Sequence, residues 1–356
     1  MKRAASLPAT TGVQSSPRKR ARRSALDELP RPTRKDEIIA SLPTTRSVYV
    51  GKSVPFQQPT EIACFTYDHQ RKVHANSSAG LNQYRPLDLR SRTYDLNEGF
   101  PDRFVERDAS VAEHLDALLE TLNPSHLSSP PAICTWRGIM TKLCSSLYSN
   151  DSYTFAATRH KNTIYITELV TPTSKGGGKL GVVNTNEQYC SIFKTKLGDT
   201  SLLLGGEVDC MMAKEKPLSA PQSVYAELKT SRAITDARKR TSFYKFKLIK
   251  MWLQSYLAGV PLIQCAFRDD QGIVKSVETY QVERIPRMAK DVLKKDSWDA
   301  NACLVFGDAI CQLLKKVISH DDVFGIRFDG EGEIVIWRLG QVYQFLPEAF
   351  LATATS

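Results

Sequence analysis

The chain has 356 residues, of which 42% are hydrophobic and 24% are charged, proportions that are usual for a globular protein. No apolar run approaches the ~18 residues of a membrane-spanning helix, and no apolar segment follows the N-terminal charges, so we expect neither a membrane span nor a secretory signal. The formal net charge is +10, but ten Lys or Arg against two acids in residues 1–35 account for +8 of it. The remainder of the chain, at +2, would need a local groove to contact nucleic acid.

The first 40 residues are predicted to be a disordered basic tail, because Ser, Pro, Lys and Arg dominate them and apolar residues are few. Within this tail, "SPRKRARRS" (Ser16–Ser24) is typical of a nuclear localisation signal, and a loosely RNA-contacting tail is the alternative. We therefore expect the protein to lie in the nucleus. The eight cysteines contain no C-x-x-C pair and mostly stand in apolar runs, which predicts reduced, buried thiols.

Predicted structure begins near residue 45, where "SVYVG" and "EIACFTYD" have the composition of strands. The apolar spacing of "DASVAEHLDALLETL" predicts an amphipathic helix over Asp108–Leu122, capped by Asp108 or Ser110. "AICTW" predicts a strand, and "YTFAATRHKNTIYITELV" predicts a hairpin that turns at residues 160–162. Residues 171–181, "TPTSKGGGKLG", are expected to be a flexible connection, since they lack the frame of a phosphate-binding loop.

The second half of the chain continues with two charged strands, described below, and then with a strong helix. "FYKFKLIKMWLQSYLAGVP" predicts that helix, with Phe246, Ile249, Leu253 and Leu257 on its core face and an end before Pro261. "LIQCAFRD" predicts a strand, "NACLVFGDAICQLLKKV" a helix, and "FGIRFDGEGEIVIWRL" a hairpin. Strands outnumber helices in mixed order, so we predict one α+β (mixed α/β) domain over residues 41–356.

The two charged strands carry the strongest chemical signal. "LLLGGEVDCMM" holds Glu207 and Asp209, and "VYAELKTSR" holds Glu227 and Lys229, among apolar neighbours. Residues i and i+2 share one face of a strand, so each pair is predicted to point the same way. A glutamate and lysine on a solvent-facing strand edge would be the alternative for the second pair.

Carboxylates gathered inside a protein need a cation. Two of them about 4 Å apart repel by roughly 4 kcal/mol at an effective dielectric near 20. A hard divalent ion such as Mg²⁺ or Mn²⁺ takes oxygen ligands of this kind. Lys229 would then stand beside the metal, where it orients a water or stabilises charge on a phosphate. This arrangement follows the logic of the nucleases written PD-(D/E)xK.

Two further polar residues are candidates for the same site. Gln254 lies in an otherwise apolar helical turn, which predicts a polar partner such as a metal-bound water or a phosphate; a polar residue on a helix surface is the alternative. Arg137 follows a predicted buried strand, where its guanidinium could donate two parallel hydrogen bonds to a phosphate; a structural ion pair is the alternative.

Together these stretches resemble the DXO family of RNA decapping and exoribonuclease proteins. The matching blocks, in the family's order, are "TWRGIMTKL", "NTIYITE", "VNTNEQYCSIFKTKLGD", "GGEVDC", "YAELKTS", "FYKFKLIKMWLQSYLAGVP", "FRDDQG" and "YQFLPEAF". The resemblance covers roughly residues 45–350. It implies a single domain with two sheets and flanking helices, and an active site in the cleft between them.

The resemblance also implies an activity and roles for residues. Family members hydrolyse RNA 5′ ends with a divalent metal, removing incomplete, triphosphate or NAD caps, with 5′–3′ trimming in some. By this resemblance Glu207, Asp209, Glu227 and the main-chain carbonyl of Leu228 bind metal. Lys229 and Gln254 support the nucleophile and the scissile phosphate, and Arg137 contacts the RNA.

One family motif is absent from the sequence. Between "IYITE" and "VNTN", family members carry a Gly–aromatic–x–aromatic–Glu segment whose glutamate helps to hold a second metal, whereas this chain has "LVTPTSKGGGKLGV". The nearest acids, Glu168 and Glu187, stand in other contexts. A missing ligand would weaken a second metal site, leave a one-metal enzyme or mark an inactive member, and an artefact of the gene model is a further alternative.

We therefore predict a nuclear, metal-dependent hydrolase of RNA 5′ ends that acts in RNA quality control. The alternative is a catalytically impaired relative that binds RNA ends or partners a nuclear 5′–3′ exoribonuclease, as some family members do. A DNA-cutting nuclease is disfavoured, because the resemblance is to an RNA-end family throughout.

Overall fold

A computed structural model of the chain describes residue 32 and residues 37–108, 110–168, 183–320 and 322–352. The strands in these residues are β1 (Ile38–Pro43), β2 (Phe56–Tyr67), β3 (Val73–Ala75), β4 (Phe104–Val105), β5 (Ile133–Trp136), β6 (Tyr153–His160), β7 (Thr163–Glu168), β8 (Val183–Asn184), β9 (Gln188–Leu197), β10 (Thr200–Glu207), β11 (Cys210–Met211), β12 (Tyr225–Arg232), β13 (Leu262–Arg268), β14 (Val274–Gln281), β15 (Val323–Phe328) and β16 (Glu333–Arg338). The α-helices are α1 (Asp116–Thr121), α2 (Arg137–Ser145), α3 (Ala237–Ser242), α4 (Leu248–Tyr256), α5 (Ile285–Leu293), α6 (Ala300–Val317) and α7 (Glu348–Ala352).

The strands form two main mixed sheets, as the predicted α+β class requires. The larger has ten strands in the order β1-β16-β15-β6-β7-β5-β10-β9-β2-β3, and the smaller has four in the order β11-β12-β13-β14. Strands β4 and β8 form a separate short pair. In the large sheet β5 runs parallel to both β7 and β10, and in the small sheet β12 runs parallel to β13.

Helices α2, α4, α5 and α6 join the two sheets into one hydrophobic core. Side chains of the helices, such as Met140, Leu253 and Phe306, belong to the same buried cluster as Leu204 of β10 and Ile263 of β13. The opposite face of the large sheet is covered by α1 and the C-terminal segment, in a second buried cluster. Because both faces of the large sheet are covered, most side chains of its central strands are buried on either face rather than at alternate positions only.

Strand β10 shows how the sequence meets this demand. Leu202 and Leu204 pack into the first cluster and Leu203 into the second, as alternation across a strand requires. At Gly205 a Cβ would stand 2.8 Å from side-chain atoms of Leu118 and Trp136, so the close approach of those side chains demands glycine there.

Several predicted elements differ near the N-terminus of the domain. "SVYVG" is not a strand: Arg46–Val48 form a 3₁₀ turn. Strand β1 begins at Ile38, inside the range predicted for the tail, and pairs with β16. The helix predicted from Asp108 begins only at Asp116, because His114 has φ +42°, a left-handed conformation that a helix does not contain.

Other predicted elements are confirmed. The two hairpins are β6–β7 and β15–β16, and "LIQCAFRD" and "NACLVFGDAICQLLKKV" contain β13 and α6. The eight cysteines, all within the described residues, form no disulfide; seven are buried and Cys64 is half-buried. Within the described ranges no helix is long and apolar enough to cross a membrane. Most of the predicted tail, including Ser16–Ser24, and the connection at residues 171–181 lie outside the described residues.

The predicted core face of the long helix is wrong at one residue. Residues Phe243–Lys247 form a π-helical turn between α3 and α4, and Phe246 is 51% exposed. The extra residue of a π-turn shifts the register, so Phe243 and Tyr244 take the core positions before Ile249. The indole Nε1–H of Trp298 donates to the Tyr244 carbonyl within this turn, at 3.0 Å.

Candidate active site

The candidate site lies where the chain passes from the large sheet to the small one. Strand β10 ends at Glu207, the amide of Val208 donates to the Tyr189 carbonyl of β9, and β11 begins at Cys210 in the small sheet. We predicted that Glu207 and Asp209 share one strand. They do not, because β10 ends between them. Strand β12 pairs with β11 and β13 rather than with β10, so Glu207 and Glu227 stand on different sheets.

Glu227 is the buried centre of the site. Its side chain is 2% exposed and lies between two cations: Arg137 Nη1 donates to Oε1 at 2.5 Å, and Lys229 Nζ donates to Oε2 at 2.7 Å. The alternative of a solvent-facing Glu-x-Lys pair is therefore excluded for Glu227. Burial by itself would raise the pKa of Glu227, but Arg137 and Lys229 outweigh it and hold that pKa below its ordinary value, so the group is a carboxylate.

Arg137 joins the two sheets at this point. It is the first residue of α2, directly after β5, and its side chain is 4% exposed. While Nη1 binds Glu227 on the small sheet, Nη2 donates to the Glu207 carbonyl at the end of β10, at 3.0 Å. The structural ion pair considered for Arg137 is thus present, and its partner is the predicted catalytic glutamate; a contact of Arg137 with RNA stays a prediction.

Asp209 lies against the free edge of β12. Its Oδ2 accepts a hydrogen bond from the Leu228 amide at 2.7 Å, and Lys229 Nζ lies 3.8 Å from the same oxygen. In a strand the amide and carbonyl of one residue point to the same side, so the Leu228 carbonyl also faces this edge. Only β13 pairs with β12 at Leu228, because β11 ends at Met211, opposite Tyr225.

Gln254 stands in α4, which packs against α2. It is half-buried, and among the described residues its amide has no hydrogen-bond partner. The polar partner that we predicted for it is therefore not another side chain of the described chain. Its proposed role towards a phosphate stays a prediction.

A cavity of about 260 Å³ adjoins the site on the side of Glu207. Among the predicted site residues only Glu207 lines it; the sequence analysis missed its other polar walls, which include Arg71, Arg107, Glu113 and Gln188. Gln188 Nε2 donates to Glu207 Oε2 at 3.2 Å, while its Oε1 accepts from Arg71 Nη1 at 2.7 Å. Arg71 stands in a turn that precedes β3, so no strand pattern marked it in the sequence.

The arginines of this cavity are held by Glu113. Arg71 binds both carboxylate oxygens of Glu113, at 2.8 Å each, and stacks its guanidinium 3.5 Å from the ring centre of Tyr67. Arg107 Nη1 lies 3.1 Å from Glu113 Oε2. Burial would raise the pKa of Glu113, but Arg71 and Arg107 outweigh it and lower that pKa. Arg71 and Arg107 exceed Glu113 by one positive charge, but Glu168 and Glu207 also line the cavity, so its walls carry two Arg and three Glu.

Replacing Glu113 by glutamine is expected to destabilise the fold most at neutral pH. A carboxyl group whose pKa is depressed on folding contributes stability above its unfolded pKa, near 4.5, and that stability is lost as pH falls through the lower folded value. The free energy of unfolding of wild type and Glu113→Gln, measured in urea at pH 7 and near pH 3, should therefore converge at acid pH. An equal difference at both pH values would contradict the ionic role of Glu113.

The donor set fits a divalent metal in chemical kind. Glu207, Asp209 and Glu227 offer carboxylate oxygens, and the Leu228 carbonyl faces the same edge, which is the all-oxygen set that Mg²⁺ and Mn²⁺ prefer. In the structure Arg137, Lys229 and the Leu228 amide hold the oxygens of Glu227 and Asp209. Across the described ranges no three His, Cys, Asp or Glu side chains converge closely enough to form a ready metal cluster.

The interval of the missing family motif, residues 169–182, lies outside the described residues. Of the two nearest acids, Glu168 ends β7, lines the cavity together with Glu207 and forms an ion pair with Lys142, whereas Glu187 is exposed.

Comparisons with known proteins identify the family and support the fold. A model of the RAI1-like PD-(D/E)XK nuclease family matches residues 57–179 and 169–351. The decapping and exoribonuclease protein of Mus musculus is 32% identical over 95% of this chain and 96% of its own length, and the decapping nuclease RAI1 of Emericella nidulans is 31% identical over 85% and 95%. The crystal structure of S. pombe Rai1 in complex with 3′-FADP superposes with a TM-score of 0.73 at 26% identity, covering 84% of this chain and 99% of that one.

Proposed function

This chain belongs to the RAI1-like PD-(D/E)XK nuclease family, as its motifs predicted, and on that premise we propose that it hydrolyses the 5′ ends of RNA. The substrates are defective caps, 5′-triphosphates or NAD caps, with 5′–3′ trimming as a second activity of the same site. The names of the relatives, decapping nuclease and decapping and exoribonuclease protein, support this assignment. The reaction serves quality control of RNA 5′ ends.

The observation that carries the proposal is the pair of cations on the one buried carboxylate. Glu227 is ionised and oriented by Arg137 and Lys229, and Lys229 also lies 3.8 Å from Asp209. The second cation, on the same strand as Glu227 and beside a second acid, supports a site built to meet a phosphate.

Each residue then has a role in the proposed reaction. Glu207, Asp209, Glu227 and the Leu228 carbonyl hold the divalent metal, Mg²⁺ or Mn²⁺. When bound, that ion polarises the phosphoryl oxygens and activates water. Lys229 orients the attacking water and stabilises the charge that develops on the phosphate. Arg137 and Gln254 bind the RNA backbone, and within the described part of the chain the Gln254 side-chain amide has no hydrogen-bond partner that would compete with RNA.

The alternative is a relative that binds RNA ends without turnover and partners a nuclear 5′–3′ exoribonuclease. It is favoured by one observation: the interval between "IYITE" and "VNTN" lacks the Gly–aromatic–x–aromatic–Glu motif whose glutamate, by the family resemblance, helps to hold a second metal. It predicts that RNA binding survives while hydrolysis is absent.

One assay separates the two. The full chain with Mn²⁺ is incubated with 5′-triphosphate, unmethylated-cap, NAD-capped and 5′-monophosphate RNAs, beside an Asp209→Ala variant. We expect turnover of at least one substrate, lost in Asp209→Ala. Binding of these RNAs without any product would establish the alternative instead.

We propose that the protein lies in the nucleus, which the basic cluster Ser16–Ser24 supports. A fluorescent fusion of the full chain is expected to accumulate in nuclei, and replacing all five cations of the cluster by alanine (Arg18, Lys19, Arg20, Arg22 and Arg23) should spread it through the cell. Unchanged nuclear accumulation of that variant would rule out the cluster as the import signal.

A further inference from the structure

A basic surface with one exposed aromatic side chain extends from the candidate site along α3 and the π-turn. Residues 236–250 contain six Lys or Arg and one acid, Asp236. We define the basic flank as the five exposed or half-buried cations and the one exposed aromatic residue of α3 and the π-turn: Arg238, Lys239, Arg240, Lys245, Phe246 and Lys247. The rest of the domain is nearly neutral, so this local excess of positive charge stands out against it.

The basic flank is continuous with the site. Lys247 Nζ donates to Ser231 Oγ at 3.2 Å, and Ser231 shares one face of β12 with Lys229 and Glu227. Ser231 and Lys229 are two residues apart, which is about 6.6 Å along a strand, close to one nucleotide step. Both lysines also lie near the Cys265 thiol of β13, opposite Lys229 in the sheet. Burial raises the pKa of that thiol to about 12, and the positive charges of Lys247 and Lys229 oppose the rise.

The π-turn places an aromatic ring where a regular helix would bury it. Phe246 is 51% exposed because the turn adds a residue, and Lys245 Nζ lies 5.6 Å from the centre of its ring. The turn is held in place by the Trp298 indole, which donates to the Tyr244 carbonyl, and by burial of Phe243 and Tyr244. A single exposed aromatic side chain is common on protein surfaces, but this one stands among cations on a π-turn, a feature that is frequent at functional sites.

From this juxtaposition we infer that the basic flank binds the single strand of the RNA substrate beyond its 5′ end, with Phe246 stacking on a base and the flanking lysines and arginines on phosphates. Alternating cations and an aromatic ring are the elements by which proteins hold single strands without reading sequence. A duplex keeps its bases stacked inside and offers no face to Phe246, so the flank favours a free single-stranded end. This inference rests on the proposed function, whose RNA-end site supplies the neighbouring Lys229.

Binding affinity tests whether Phe246 stacks on a base of the RNA. Binding of a fluorescent 5′-monophosphate RNA of 20 nucleotides is measured by anisotropy for the full-length protein and for Phe246→Ala. We expect about 10-fold weaker binding in Phe246→Ala, the usual loss for one stacked base. The matched control is Phe100→Ala, whose aromatic side chain is 55% exposed and lies outside the flank. Wild-type affinity in Phe246→Ala would overturn the inference.

The charge of the flank is tested separately. In Arg240→Ala/Lys245→Ala the slope of log affinity against log salt should fall by about 1.4, since each phosphate contact on a single strand contributes about 0.7. The control pair Lys52→Ala/Lys196→Ala, two exposed lysines outside the flank, should leave the slope unchanged. An unchanged slope in the flank variant would contradict phosphate contacts there.

Hydrolysis distinguishes failure of this inference from failure of the proposed function. In Phe246→Ala the ratio of kcat/KM for the 20-nucleotide strand to that for a 5′-triphosphate mononucleotide should fall about 10-fold, because the mononucleotide has no strand beyond its 5′ end to contact the basic flank. Turnover of both substrates with an unchanged ratio would contradict the inference about the basic flank and leave the proposed function intact. Absence of turnover in wild type would contradict the proposed function. The binding affinities of wild type and Phe246→Ala would still test whether the basic flank binds RNA.

Discussion

Replacing Glu227 by glutamine is expected to lower turnover of RNA 5′ ends by about 10³-fold or more. The carboxylate is the only buried one of the three candidate ligands, and the amide that replaces it carries no charge for a divalent ion, whose contribution of several kcal/mol corresponds to a loss of this size. The amide group also presents an N–H to either Arg137 or Lys229, both of which are donors. The measurement is kcat at saturating Mn²⁺ for the variant and wild type.

The same substitution, Glu227→Gln, is expected to lower the stability of the fold in a pH-dependent way. The pKa of Glu227 is lowered in the fold, so its ionic contribution is present above the unfolded pKa and is lost as pH falls through the folded value. Thermal unfolding of Glu227→Gln should therefore lie below that of wild type at pH 7 and approach it in acid. The control for turnover is Glu278→Gln, at an exposed glutamate of β14. If Glu278→Gln lost as much activity as Glu227→Gln, the assignment of Glu227 to the active site would be wrong.

Replacing Arg137 by methionine is expected to destabilise the fold by about 3–5 kcal/mol, the usual result of removing one partner from a buried ion pair. The change takes the guanidinium from both Glu227 and the Glu207 carbonyl, so the junction between the sheets loses two hydrogen bonds. Urea unfolding measures the loss. A change below about 1 kcal/mol would show that Arg137 is not the buried partner that the side-chain exposure of 4% indicates.

A double substitution separates the structural role of this pair from its chemical role. In Arg137→Met/Glu227→Leu both buried charges are replaced by apolar side chains of similar volume, a change that is often neutral for stability. We expect much of the stability lost in Arg137→Met to return, while activity stays absent. Recovery of activity along with stability would mean that Glu227 serves the fold only.

The structure brings Glu227, Lys229 and Asp209 together, but it places Glu207 and Asp209 differently from the prediction. Glu227 and Lys229 share one face of β12, as i and i+2 must, and this part of the prediction needed only strand alternation. Glu207 and Asp209 have the same spacing, yet β10 ends between them, because the chain crosses from one sheet to the other at Val208. Periodicity predicts faces within a strand and carries no information on where a strand leaves its sheet.

Phe246 and His114 illustrate the same limit for helices. The apolar spacing around each predicted a regular helix, but a π-turn displaced Phe246 to the surface and the left-handed conformation of His114 shortened α1. In both places the departure is stabilised by distant residues: the Trp298 indole bonds Tyr244, and the His114 carbonyl accepts from the Trp136 indole at 2.6 Å. Local propensity is weaker than such tertiary contacts.

What the sequence alone determined is the set of reactive groups and the family, because motif residues keep their order along the chain whatever path the chain takes. It also determined the mixed α+β class, since the periodicities of strands and helices alternate irregularly along the chain. The tertiary structure alone decided that Arg137 holds Glu227, that Arg71 and Glu113 form a wall beside Glu207, and that Lys247 extends the row of cations from Lys229. These partners lie 16 to 90 residues apart in the chain, and only packing of the two sheets against shared helices brings such residues together.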